Sequence, residues 1–114
     1  MENFPQPTES RLEKMPGVRE EELQELKNPI SCFPAITKAI MFGSRIKGGH
    51  RDDSDLDIYI EVKGKSKSQI SVIKARIQEM LAPIIPYPIH VKEAQEMKNN
   101  RTLLRIIEIE GIQL

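Results

Sequence analysis

Hydrophobic and polar positions alternate most cleanly over residues 55–62. Leu56, Ile58, Ile60 and Val62 take the even places, and Asp55, Asp57, Tyr59 and Glu61 the odd ones. A period of two predicts a strand with one face buried and one presented. Residues 35–42 read as a strand buried on both faces apart from Thr37 and Lys38. A third strand is expected over residues 87–92, with Tyr87, Ile89 and Val91 on one face and Pro88, His90 and Lys92 on the other. Its prolines at 86 and 88 push it toward a sheet edge or a strand start.

Helical spacing takes over elsewhere. Leu23 and Leu26 share a face in a short amphipathic helix over residues 18–27, closed by Asn28-Pro29. Ile70, Ile73, Ile77, Met80 and Leu81 line a helix over residues 68–81, ended by Pro83. Leu103, Ile106 and Ile107 point inward from a helix over residues 99–110, capped by Gly111. Ser44–Lys47 is expected to form one helical turn, ended by Gly48-Gly49, and residues 50–54 a polar loop. The order helix, strand, strand, helix, strand, helix predicts an α/β (α+β) sandwich, a small mixed sheet with helices packed on one side.

A length of 114 residues sets one domain, read as a flexible arm over 1–16 followed by a folded unit over 17–114. Seventeen basic and seventeen acidic residues cancel, so no global field draws nucleic acid. The single cysteine, Cys32, is expected to pack beside Phe33. It cannot form an internal disulfide, which fits a reducing cytoplasm and equally a secreted protein without disulfides. The N-terminal run Met-Glu-Asn-Phe-Pro-Gln-Pro lacks the basic start and apolar core of a signal peptide. No apolar run reaches membrane-spanning length.

Candidate chemistry concentrates between Phe42 and Ile60. Gly43 follows a buried strand and opens a helical turn, where a glycine lets the backbone approach a ligand closely. Free N–H groups at the start of such a turn favour phosphate. Ser44 adds a hydroxyl, and Arg45 and Lys47 can add charge. For Gly-Ser alone, an ordinary turn capped by serine is the simpler reading. Ten residues further on, Asp55 and Asp57 leave one face of a strand about 6.5 Å apart at the backbone. Two such carboxylates repel unless a cation lies between them. Mg²⁺ accepts one or two carboxylates together with substrate phosphates. An Asp-x-Asp pair alone equally describes a solvated strand face.

Together the turn, the ten-residue spacer and the apolar flanks resemble the Gly-Ser … Asp-x-Asp signature of the DNA polymerase beta-like nucleotidyltransferases. The short chain is similar to their minimal prokaryotic members. The resemblance is close over residues 35–61 and looser from there to the C-terminus. It implies that Asp55 and Asp57 bind catalytic Mg²⁺ (or Mn²⁺), and that Gly43, Ser44, Arg45 and Lys47 hold the phosphates of ATP or another nucleoside triphosphate. It also implies transfer of a nucleoside monophosphate to an acceptor hydroxyl. The proteins it resembles lack a substrate domain and work with a small helical partner of the HEPN type, often as the antitoxin that adenylylates it. Self-association is the other expectation for so short a chain. The family carries a third carboxylate on the following strand. By register His90 takes that place, as a base or metal ligand, or as a structural histidine at a sheet edge. That departure leaves a nucleotide-binding module with lost catalysis as the competing expectation.

Overall fold

The structure, a computed structural model, describes residues 17–114, so the arm expected over 1–16 lies outside the described residues. Helix α1 spans Glu20–Ser31, β1 Ile36–Phe42, α2 Ser44–Lys47 and β2 Leu56–Val62. Helix α3 spans Lys67–Leu81, β3 Ile89–Glu93, α4 Ala94–Met97, α5 Arg101–Glu110 and β4 Ile112–Gln113. The sheet order is β3-β2-β1-β4, with β1 antiparallel to both β2 and β4, and β2 parallel to β3. The mixed sheet is as expected, and β3 lies at its edge. A parallel pair needs a crossover, and α3 supplies it.

Even positions of β2 face the larger core. Leu56, Ile58 and Ile60 are fully buried against Leu26 of α1 and Ile77 and Leu81 of α3. A capping box starts α3: the Gln69 N–H donates to Ser66 Oγ at 3.2 Å, and the Ser66 N–H to Gln69 Oε1 at 2.9 Å. Ile70, Ile73, Ile77 and Leu81 form the buried stripe, whereas Met80 lies at its edge, 39% exposed.

The helices do not keep to one side. Ile40, Phe42, Tyr59, Met97 and Ile107 form a second, smaller core on the opposite face, under α4 and α5. Tyr59 is therefore buried although its strand face was expected to be open. The Asp57 end of that face stays accessible, and Glu61 at its far end is half-buried. Within α5, Ile107 faces inward, but Ile106, about 100° away around the helix, is exposed. Helix α1 continues past Asn28-Pro29 to Ser31. A proline in the last turn disturbs few bonds there. Short i→i+3 bonds from the N–H groups of Cys32 and Phe33 to the carbonyls of Pro29 and Ile30 close the end. Cys32 is exposed rather than packed. Among the described residues no helix is long and apolar enough to cross a membrane.

Candidate active site

Strand β1 delivers the chain to Gly43, whose φ of 92° and ψ of −169° lie in a region essentially confined to glycine. The Gly43 carbonyl accepts from the N–H groups of Ile46 and Lys47, both at 3.0 Å, and so starts α2. The N–H groups that open a helical turn have no carbonyl of that turn to bond, and they face outward from it. Ser44, half-buried, follows with its hydroxyl.

Strand register places the acids beside this turn. Asp57 lies opposite Phe42 on β1 and opposite His90 on β3. A Cβ built on Gly43 would overlap the Asp57 carboxylate, with Asp57 Cγ 3.4 Å away. Turn and carboxylate are thus in direct contact. His90 Nδ1 stands 3.9 Å from Asp55 Oδ2 and 3.9 Å from Asp57 Oδ1, in the register that pairs His90 with Asp57. Burial pushes the Asp57 carboxyl above the ordinary aspartate range. His90 and Lys92 pull it back down, and Asp55 pushes it up further. A cation placed beside it would favour the charged form.

The donor set fits a hard cation only in part. Asp55 and Asp57 accept no hydrogen bond among the described residues, so their lone pairs are free for metal. No group of three or more histidine, cysteine or acidic side chains among the described residues is able to hold an ion by itself. Two carboxylates with the rest of the shell from phosphate and water is the arrangement Mg²⁺ tolerates best.

The four residues expected at the phosphates divide. Gly43 and Ser44 form the turn. Lys47 is exposed, and its Nζ lies 3.6 Å from Glu110 Oε2 at the end of α5. Arg45 turns away from the open side altogether and is 5% exposed. Its Nε donates to the Ser54 carbonyl at 2.7 Å, its Nη1 to Gly17 at 3.0 Å, and its Nη2 to Asp52 at 2.8 Å and Arg51 at 3.2 Å. Its guanidinium stacks 3.5 Å from the centroid of the Tyr87 ring. The Tyr87 hydroxyl in turn donates to Glu22 Oε1 at 3.0 Å. With four N–H groups committed to carbonyls, the guanidinium has little left to offer a phosphate.

Local sequence pattern assigns Gly17, Glu22 and Tyr87 to no site. A signal existed for two of them. Tyr87 sits in a buried stripe, and a buried phenol needs a partner. Glu22 lies four residues before Leu26, on the same inward face of α1.

The family model described as polymerase beta, nucleotidyltransferase matches residues 24–114. No curated protein matches the sequence. The matched span holds the glycine turn, both aspartates and His90, and it covers most of the chain. The protein belongs to the polymerase beta nucleotidyltransferase family, and its general role is nucleotidyl transfer.

Proposed function

We propose that the chain binds a metal-bound nucleoside triphosphate, by resemblance ATP, and transfers its nucleoside monophosphate to an acceptor hydroxyl. The observation that carries this reading is the contact between the Gly43 turn and the Asp57 carboxylate. Phosphate held at the turn then lies within reach of both aspartates. Bound there, Mg²⁺ or Mn²⁺ supplies charge neutralisation on the phosphates and orients them for in-line attack. The acceptor oxygen bonds to the α-phosphorus, the bond from that phosphorus to its bridging oxygen breaks, and pyrophosphate leaves. In this reading His90, 3.9 Å from both aspartates, takes the hydroxyl proton. The resemblance supports a hydroxyl of a small helical HEPN-type protein as the acceptor, AMP as the group moved, and a toxin–antitoxin setting in the cytoplasm.

A second reading has its own observation. His90 replaces the family's third carboxylate, and the acids alone are too few to fix an ion. A chain that binds nucleotide yet transfers it slowly, acting through protein contact, fits that arrangement.

Calorimetry with ATP and Mg²⁺ tests the binding half. Wild type is expected to bind much more tightly than an Asp55→Asn, Asp57→Asn double variant, and equal affinities would sink the site. Labelling with radioactive ATP tests the transfer half. His90→Asp restores a carboxylate base and is expected to raise the rate, by up to the ~10²–10⁴ that a general base supplies. If neither wild type nor His90→Asp labels any acceptor, the binding-module reading replaces the enzyme.

A further inference from the structure

We infer that Arg45 is a positioning residue for the metal-binding acids, a buried clamp that fixes where Asp55 stands. The inference rests on the nucleotidyl-transfer reading only for its effect on metal and nucleotide. The clamp itself rests on geometry.

An arginine is rarely buried without a carboxylate beside it. Arg45 is nonetheless inside, and no acid pairs with it directly among the described residues. Four backbone carbonyls and one aromatic face take the place of a counter-ion. Three of those carbonyls belong to the single short loop of Arg51, Asp52 and Ser54. That loop has its own closing bonds, from the Ser54 N–H to the Arg51 carbonyl at 3.0 Å and from the Arg51 N–H to Ser54 Oγ at 2.8 Å. The side chains of Arg51, Asp52 and Asp53 are exposed and would not anchor it. Arg45 does so from beneath.

Asp55 is the residue this serves. Strand β2 begins only at Leu56, whose N–H donates to the Pro88 carbonyl at 2.9 Å. Asp55 therefore hangs between that bond and the Ser54 carbonyl held by Arg45 Nε. Asp57 needs no such support, because its strand is paired on both sides. The same arginine follows Ser44 in the phosphate turn and stacks on Tyr87, three residues before His90. One buried side chain thus sets the spacing between turn, first acid and third position. The backbone reciprocates: the Gly17 N–H donates to the Arg45 carbonyl at 2.8 Å, and a Cβ on Gly17 would come within 2.8 Å of Arg45 Cα.

Lysine keeps the charge but not the planar fork, so Arg45→Lys separates position from charge. Gly17→Ala pushes on the clamp without removing a donor and serves where Arg45→Lys folds poorly. Two readouts are taken on the full chain at a temperature where each variant is folded. In the first, ATP affinity is measured with Mg²⁺ and again in EDTA. Arg45→Lys is expected to lose about 10–100-fold with Mg²⁺, the usual loss when a ligand's support is removed, and to change little in EDTA. An equal loss in both conditions would mean that Arg45 touches the nucleotide. No loss in either would mean that it only stabilises the fold. Both results overturn the inference.

The second readout is amide hydrogen exchange without ligand. Exchange in residues 50–56 is expected to quicken in Arg45→Lys and, less so, in Gly17→Ala, with β1 and α3 unchanged. Unaltered exchange in the loop, or a uniform rise everywhere, overturns the clamp. If wild type binds no ATP with Mg²⁺, the nucleotidyl-transfer reading falls, and the exchange result decides the clamp by itself.

Discussion

Gly43 meets two constraints, and a side chain there breaks both. Its backbone occupies a region where other residues cost about 1–3 kcal/mol. Its missing Cβ is also the space that the Asp57 carboxylate fills. Gly49 shares only the first constraint: its φ is 83°, but a Cβ would meet nothing within 4 Å. Gly43→Ala and Gly49→Ala are therefore both expected to lower the melting temperature, while only Gly43→Ala lowers Mg²⁺–ATP affinity. Calorimetry beside thermal melts checks this, and equal affinity losses would deny the contact its role. The spacing of the signature sets the Gly43 turn next to the two carboxylates, but it does not single out Asp57 as the one that touches it. That proximity comes from the pairing of Phe42 with Asp57, a register that local spacing does not contain. Arg45 was hidden for a similar reason. A cation in a polar, one-turn helix reads as solvent-facing until the loop that covers it is folded.

Elements with a strong period were legible, and short ones were not. The alternation of β2 and the isoleucine stripe of α3 identify their inward faces, because burial of those faces is what selects the residues. Ile77, fully buried between α3 and the sheet, tests that logic against Met80 at the stripe's edge. Ile77→Ala is expected to destabilise by about 2–5 kcal/mol, and Met80→Ala by within about 0.5 kcal/mol. Comparable losses in chemical denaturation would mean that the stripe is misplaced. Helix α4, with four residues, and β4, with two, are too short to carry a period. Gly111 is the C-cap of α5, as its place just after the helix predicts. Its φ of −73° is available to any residue, so its requirement is spatial. The chain turns there to lay Ile112 against Met41, and a Cβ would press on the Met41 carbonyl at 3.2 Å.

At the scale of the whole molecule, Asp57 sets stability against function. Its folded-state pKa lies above the ordinary 3.8, chiefly through burial. The folded protein holds that proton more tightly than the unfolded chain does. Between the two pKa values stability therefore falls as pH rises, and at neutral pH the charged Asp57 is a net burden on the fold. Asp57→Asn removes the burden, so the ligand-free variant is expected to melt higher than wild type, by about 4 °C for each kcal/mol in a domain of this size. The gap should close as pH falls through the aspartate range. Ligand reverses the order. A site built from β1, β2 and the turn between α2 and β1 exists only in the folded chain, so binding adds to global stability. At a hundred times the dissociation constant, Mg²⁺–ATP is expected to stabilise wild type by about 2.7 kcal/mol, and the variant, without one of the proposed cation ligands, far less. Thermal melts of both proteins, with and without Mg²⁺–ATP, should show the two curves exchanging places. A variant less stable than wild type without ligand would make Asp57 a structural residue. Equal shifts on adding ligand would remove it from the site.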